Sequence, residues 1–439
     1  MISFWLELAV VFGSIFVGTR IGGAGIGLAC AFGLSILTFG FHLQPSSPPV
    51  AVLLIIISVV TMVGTLQAAG GLDYLVGIAE KILRKNPNQI TIIGPLVSYV
   101  FTTLAGTAYV SLSVFPVIAE VAFEAKVRPE RPISMSLIAS KIAITGSPMS
   151  AATVAMVALL APSGISLMQV ILVTIPAGFI ACFVGSLFVY KRGLELEDDP
   201  EFQRRLAAGE IEAPKGFIKK EFTSKAKWST WIFFAAVATA VIMGTFESLV
   251  PKWVVNGKIV QLNSTHLIEM LMLSASCVIV LLCKVKPAQI VSGSVFRAGM
   301  VGVICIFGAA WMTDTFFNEH KALVIGFCAE FVQAHPWSFA VALFFMSTIL
   351  LSQGATVAAI MPLGISLGIP APYLIAMLPA VNATFVFPAT GSLVAAMGFD
   401  RSGTTRIGKF VLNHSFMLPG VLSIIVAVTL GFLFTSILM

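Results

Sequence analysis

Gly146-Ser147-Pro148-Met149-Ser150 interrupts an apolar run over residues 132–162, and Phe387-Pro388-Ala389-Thr390-Gly391-Ser392 interrupts another over 372–398. Proline removes an amide donor and glycine loosens the chain, so helical hydrogen bonding lapses at both places. If these runs lie in a bilayer, the freed backbone groups must face protein or a water-filled cavity. The two breaks belong to copies of one longer pattern. The first copy runs from Ala79-Glu80 through Pro87, Gly106-Thr107 and Phe115-Pro116 to Ala155-Met156. The second runs from Ala329-Glu330 through Pro336, Gly354-Ala355 and Met361-Pro362 to Ala396-Met397.

The charges around the copies are distributed in opposite ways. Turns of the first copy are basic (Arg84-Lys85, then Lys126, Arg128 and Arg131), whereas the matching turns Ala334-His335-Pro336 and 367–372 carry no Lys or Arg. Beyond each copy the pattern reverses: 161–166 is neutral, and Arg401, Arg406 and Lys409 are basic. Since Lys and Arg of short loops collect on the cytoplasmic side, the copies are expected to lie upside down relative to one another. Such inverted repeats are a signature of secondary transporters.

Composition identifies the solvent. With 58% hydrophobic and only 10% charged residues, and a mean hydropathy of +0.99, the chain cannot present the surface of a soluble domain, which is roughly 25% charged. The expected fold is an all-α polytopic membrane protein. Its net charge of +6 is attributed to cytoplasmic loops, with no nucleic-acid partner. The first apolar stretch lacks a basic n-region and reads as a span and not a cleaved signal.

A span needs about 20 apolar residues. Candidate full spans are 3–19, 21–41, 50–69, 132–162, 167–190, 228–250, 264–284, 296–313, 372–398 and 410–438. Segments 89–104 with 108–124, and 338–351 with 355–367, have arms of roughly 15 residues, or about 22 Å of helix. They read as re-entrant hairpins with tips at Ala105-Gly106-Thr107-Ala108 and Ser352-Gln353-Gly354-Ala355-Thr356. The expected organisation is a first inverted repeat over 1–190, with scaffold helices within 1–69, a surface helix at 72–85, a hairpin at 89–124, a broken helix at 132–162 and a helix at 167–190. A cytoplasmic linker follows at 191–227. The second repeat, 228–439, has scaffold helices within 228–313, a surface helix at 318–334, a hairpin at 338–367, a broken helix at 372–398 and a helix at 410–438. Each repeat thus holds about five transmembrane helices and one hairpin. Both termini are expected outside.

The six cysteines show no C-x-x-C spacing and read as small core residues. The five histidines lie at segment ends or in loops, and no metal motif occurs. Candidate chemistry therefore sits at the hairpin tips and helix breaks, where half-helix N-termini suit a carboxylate. Lys141 lies two turns before Pro148 on roughly the same face, and Asn382 occupies nearly the equivalent place in the second repeat. A lysine there needs an anion or partner, unless it snorkels to the interface.

Phe41-His42-Leu43-Gln44-Pro45, Gly70-Gly71-Leu72-Asp73, Arg84-Lys85-Asn86-Pro87, Arg128-Pro129-Glu130-Arg131-Pro132, Phe296-Arg297-Ala298-Gly299-Met300 and Gly403-Thr404-Thr405-Arg406-Ile407-Gly408-Lys409-Phe410 with Asn413-His414 resemble the anaerobic C4-dicarboxylate transporter (Dcu) family of bacterial inner membranes. The resemblance covers nearly the whole chain. The hairpins and breaks are also similar to those of the wider ion transporter superfamily, and this implies elevator-type alternating access and a homodimer. By resemblance, substrate binding falls on Gly106, Thr107, Ser147, Pro148, Ser150, Ser352, Gln353, Thr356, Pro388, Thr390 and Ser392. Departures from the family pattern cluster in the same region, at Ala108-Tyr109, Lys141 and Thr390-Gly391; Tyr109, Lys141 and Asn382 complete the candidate set. The implied substrates are fumarate, succinate, malate and aspartate, moved by exchange or by uptake coupled to Na+ or H+, with no cofactor. A carrier of another small organic anion is the alternative. A hydrolase finds no base for Ser147 or Ser352, and an ATP-driven pump finds no Walker motif.

Overall fold

Prolines and glycines punctuate this chain where its helices stop. The computed structural model describes the chain apart from residues 1, 22–23, 49, 107, 149, 212–220, 246–248, 256–257, 263, 388–389 and 409–412. In the first half, α1 (Ile2–Ile21), α2 (Gly25–Ser35, prolonged by a π turn at Ile36–Gly40) and α3 (Val50–Ala68) are apolar. The chain then bends by 74° into α4 (Gly71–Lys85). Gly70 makes the corner at φ 81°, a conformation that side chains resist. Leu72, Leu75, Ala79 and Leu83 lie buried on one face of α4, the spacing of an amphipathic helix. Arg84 on its polar side pairs with Glu80 at 2.9 Å and Glu124 at 2.7 Å.

Next come α5 (Ile90–Ala105) and α6 (Tyr109–Glu124), then α7 (Glu130–Gly146), α8 (Ala151–Leu160) and α9 (Leu167–Val189). A capping box between Ser166 and Gln169 starts α9. α5 and α6 thus occupy the two segments read as hairpin arms, α7 stops at Gly146 and α8 starts at Ala151. The linker carries α10 (Pro200–Ala207).

The second half opens with α11 (Ser224–Thr245), a short antiparallel hairpin of β1 (Lys252–Val255) and β2 (Lys258–Gln261) pairing Lys252 with Gln261, and α12 (Ser264–Cys283). The two strands are an addition to the helical pattern read from the sequence. After α13 (Pro287–Ser292) comes α14 (Ser294–Ala334). The surface helix expected over 318–334 is no separate element: it continues α14 without interruption, because 313–321 contains no glycine or proline to make the corner that Gly70 makes in the first half. Then follow α15 (Ser338–Leu350), α16 (Gln353–Ser366), α17 (Ala371–Met377) with a 3₁₀ turn at Leu378–Asn382, α18 (Gly391–Gly398) and α19 (Met417–Leu438).

Among the described residues six helices are long and apolar enough to cross a bilayer, and α3 with α4 makes a seventh candidate. Elements of the two halves are interleaved: α14 packs on α2, α12 on α3 and α19 on α9. At the α2–α14 crossing the backbones nearly touch, since a Cβ on Gly308 would lie 1.9 Å from the Gly27 carbonyl. Small residues permit such approaches between membrane helices. Cys30, Cys182, Cys283 and Cys305 are buried as expected, whereas Cys277 is exposed. His320 departs from its expected place at a segment end: it is buried within α14 and hydrogen-bonded to Glu7 of α1.

Candidate functional site

The first break is built by hydroxyls. α7 ends at Gly146, and Ser147 turns extended at φ −83°, ψ 126°. A helix end leaves carbonyls without intrahelical donors. Here the Thr153 hydroxyl, from the next half-helix, reaches the carbonyls of Ile144 and Thr145, both at 3.1 Å. Ser150 caps α8 by accepting from the Thr153 amide at 3.1 Å, and its own hydroxyl donates to Thr153 Oγ1 at 3.0 Å. Two side chains therefore stitch the half-helices together across the gap. Ser147 and Ser150 are both buried.

The second break is longer. α17 lasts seven residues, Pro379 lies within the 3₁₀ turn, and Ala383 to Phe387 form turns and bends outside any helix before α18 begins at Gly391. Residues 372–398, expected as a broken helix, hold two short helices, α17 and α18. His414 steadies that backbone: its Nε2–H donates to the Val386 carbonyl at 3.0 Å, and its Nδ1 accepts from the Phe416 amide at 3.2 Å, which fixes the neutral tautomer. Thr390 stands at the N-terminus of α18 without capping it, and its buried hydroxyl has no partner among the described residues.

Two hydrogen bonds tie the breaks to each other. Lys141 Nζ donates to Thr384 Oγ1 at 2.9 Å. One turn along the same face of α7, Thr145 Oγ1 accepts from Asn382 Nδ2 at 3.1 Å. The same Nδ2 donates to the Pro379 carbonyl at 3.0 Å; because a carbonyl can only accept, the amide orientation is set, and Asn382 Oδ1 is left buried without a partner among the described residues. Lys141 is only 4% exposed, so it does not snorkel to water. No ion pair to it occurs among the described residues. A lysine placed mid-span costs of order 2.5–3.5 kcal/mol, and an anion brought alongside would offset that cost.

The hairpins meet the breaks crosswise. α16 of the second hairpin packs on α8 of the first broken helix, and α6 of the first hairpin packs on α18 of the second. At the second tip, Ser352 caps α16 by accepting from the Ala355 amide at 3.3 Å, and Thr356 donates back to the Ser352 carbonyl at 2.7 Å. A Cβ on Gly354 would stand 3.1 Å from Ala151 Cβ, so this tip presses on the start of α8. Gly106 ends α5 at φ 71° at the first tip, and Tyr109 opens α6. Ser392 is half-buried in the first turn of α18. Thr107 and Pro388 lie outside the described residues.

Lys141 and Asn382 are thus brought into one cluster beside the first break. No hydrogen bond among the described residues joins Gly106, Ser352 or Gln353 to that cluster; the hydroxyls of Ser150, Ser352 and Thr356 serve their own helices. Sequence reasoning missed Thr145, Thr153 and Thr384. The first follows Lys141 by four residues, and the last follows Asn382 by two, so helical spacing and the repeat alignment together could have found both. The described residues hold no group of three or more His, Cys, Asp or Glu side chains arranged for a metal ion.

The linker straps the ends of these elements. Arg128 pairs with Asp199 at 2.5 Å and Glu130 at 2.7 Å, and Arg131 with Glu195 at 3.1 Å. The Ser415 hydroxyl donates to Glu130 at 2.7 Å, joining the start of α7 to the segment before α19. Arg401 pairs with Glu120 of α6. A cleft of about 580 Å³ between the end of α6 and the linker is lined by Phe123, Lys126, Leu196, Phe202 and Leu206 among others.

Known proteins share this fold. In solved structures, the fold is similar to that of the YdaH transporter of Alcanivorax borkumensis (TM-score 0.56, 15% identity, 93% of this chain and 97% of that one). It is also similar to MtrF of Neisseria gonorrhoeae (TM-score 0.58, 12% identity, 92% and 85%). Among characterised sequences, the chain is 41% identical over 433 residues to the C4-dicarboxylate transporter DcuA of Wolinella succinogenes, covering 99% of each. It is 37% identical over 443 residues to the anaerobic C4-dicarboxylate transporter DcuB of Escherichia coli, covering 99% of this chain and 98% of that protein. The family model described as anaerobic C4-dicarboxylate membrane transporter matches residues 3–439. A polytopic helical chain, matched over residues 3–439 by that model, belongs to the anaerobic C4-dicarboxylate membrane transporter family.

Proposed function

We propose that this protein is a secondary carrier of C4-dicarboxylates in the bacterial inner membrane, working by exchange or by cation-coupled uptake. One observation carries the reading: a buried ammonium, Lys141, is held between the two broken helices with only a hydroxyl as partner among the described residues. A dianion placed there compensates it, and the start of α8 adds partial positive charge. The relatives' names, C4-dicarboxylate transporters, agree with such a ligand.

In this reading residues 1–190 and 228–439 are inverted repeats joined by the linker 191–227, both termini are periplasmic, and the chain works as a homodimer. The hairpins, α7–α8 and α17–α18 form the moving unit of an elevator, and the helices within 1–69 and 228–313 form its scaffold. Substrate contacts come from Gly106, Thr107 and Tyr109 at the first tip, Ser352, Gln353 and Thr356 at the second, and Lys141, Ser147, Pro148, Ser150, Asn382, Pro388, Thr390 and Ser392 at the breaks.

The test is uptake of labelled succinate into proteoliposomes, with a panel of unlabelled dicarboxylates inside and outside. Saturable uptake accelerated by internal succinate, fumarate or aspartate is the expected result. Uptake indifferent to every C4-dicarboxylate, but blocked by another organic anion, would transfer the same site to a different substrate.

A further inference from the structure

The β1–β2 hairpin plays no part in the site described above, and its surface is apolar where water would be expected. Its register pairs Trp253 with Val260 and Lys252 with Gln261. Directly opposed residues of an antiparallel pair share a face, and neighbours along a strand alternate. Trp253 and Val260 therefore lie on one face and Val254 on the other. Trp253 is 51% exposed, Val260 47% and Val254 74%, so apolar side chains stand uncovered on both faces. Lys252 is exposed beside them. Residues 249–265 contain Lys252 and Lys258 but no Asp or Glu, and Glu269 just beyond them lies 3.1 Å from His266.

Chain length limits where this hairpin can be. Leu262 and Asn263 alone separate Gln261 of β2 from Ser264 of α12, a reach of at most about 11 Å. α12 turns Met270, Leu273, Val278, Leu281 and Leu282 outward, the stripe of a helix that faces lipid. Lipid thus begins within a few turns of the hairpin. α11, which leads into it, exposes Trp228 and Trp231 near its opposite end. Tryptophans gather at the two membrane interfaces, and this span is bracketed by them. A two-stranded hairpin is marginal in water on its own, and a surface that takes up its apolar side chains stabilises it.

We propose that the hairpin is a lipid-binding anchor, lying in the headgroup layer at the end of α11 opposite the linker, with Trp253, Val254 and Val260 reaching the upper acyl carbons and Lys252 the phosphates of anionic phospholipid. Lys258 adds to the attraction, because basic residues at a membrane surface draw anionic headgroups. Since α11 packs on α4 and α12 on α3, the anchor holds those helices at a fixed depth.

The test is spin-label accessibility in nanodiscs, where both membrane faces meet the solvent. Val254→Cys, and Ala208→Cys of the exposed linker as the aqueous reference, are labelled with a nitroxide in the full chain with Cys277 and Cys328 replaced by Ser. Oxygen partitions into lipid, and a neutral nickel chelate stays in water. The ratio of oxygen to chelate collisions at Val254→Cys should be more than double that at Ala208→Cys. Mixing phosphatidylglycerol into phosphatidylcholine should raise it further, and Lys252→Gln with Lys258→Gln should abolish that rise. Trp253→Ser with Val260→Ser should lower the ratio in both lipids.

A ratio at Val254→Cys equal to that of the linker places the hairpin in water and overturns the proposal. Low collision rates with both reagents also overturn it, because a second copy of the chain then covers the hairpin. A phosphatidylglycerol effect that is absent, or that survives loss of both lysines, defeats the assignment of an anionic lipid. If a label on Val254 disturbs the strand pairing, the same measurement at Val260→Cys decides between these outcomes.

Discussion

Lys141 and Thr384 stand 243 positions apart in the chain, yet the ammonium of one lies 2.9 Å from the hydroxyl of the other. That contact joins the last turns of α7 to the open backbone following α17, so a charge from one half is held by a neutral group from the other. Ammonium and hydroxyl do not neutralise each other, and the site remains electrically prepared for an anion.

Replacing Lys141 by Gln keeps a hydrogen-bond donor and removes the charge. Attraction between unit charges at 4 Å is roughly 4 kcal/mol at an effective dielectric of 20. Desolvation offsets part of it, and a net loss of about 1–3 kcal/mol corresponds to a roughly fivefold to hundredfold weaker apparent affinity for succinate. Competition against labelled succinate should show monocarboxylates losing less than dicarboxylates. Equal losses for both would detach Lys141 from the second carboxylate.

Thr145 and Asn382 form the neighbouring link. Replacing Asn382 with Ala leaves the Pro379 carbonyl without its side-chain donor and should cost about 1–3 kcal/mol of stability. Thr145→Val should cost less, because Asn382 Nδ2 keeps Pro379. A double-mutant cycle read by thermal unfolding should show coupling of at least about 0.5 kcal/mol between the two positions, and strict additivity would mean the bond is absent in the membrane.

Charge asymmetry between the copies predicts where a membrane-impermeant thiol reagent reaches. With native cysteines replaced, single cysteines at Lys126 and within 191–210 should be labelled only from the cytoplasm, and those at Ser163 and Ala371 only from outside. Labelling of the Lys126 and Ala371 substitutes from the same face would contradict inversion.

Acid should loosen the strap only at its extreme. Burial raises the Asp199 carboxyl, but hydrogen bonds from Arg128 and from the amides of Phe202 and Glu201 outweigh this and hold it below 3.8. A group whose folded pKa is depressed stabilises above its unfolded value, and that stabilisation fades as pH falls through the folded value. Amide protection over 195–205, with intrinsic exchange rates divided out, should therefore hold from neutral pH and be lost only as pH falls below the ordinary carboxylate value. Asp199→Asn should exchange faster at neutral pH and show less of that acid step.

Much of the backbone was legible because membrane spans leave few choices. Gly146-Ser147-Pro148 announced the end of a helix, and α7 stops at Gly146 with α8 starting at Ala151. The second surface helix was misread because amphipathic character over 318–334 says nothing about a bend; only a residue such as Gly70 supplies one. At the site, Lys141 and Asn382 were visible as polar residues in apolar runs. Thr145, Thr153 and Thr384 were not, because threonine is common in membrane helices, where its hydroxyl is satisfied by a carbonyl four residues back, as Thr174 does with Val170 at 2.8 Å. Only the three-dimensional pairing distinguishes a hydroxyl that serves its own helix from one that crosses to another.

The crosswise packing of hairpins on the opposite breaks has a consequence for biosynthesis. When the ribosome has delivered α6 and α8 to the bilayer, neither α18 nor α16, which will cover them, has yet been made. The faces of α8 and α6 that α16 and α18 cover must stay open in the membrane until the second half arrives. A chain truncated after α9 should accordingly insert but remain more open to proteolysis at α8 than the full chain, in which α16 covers it.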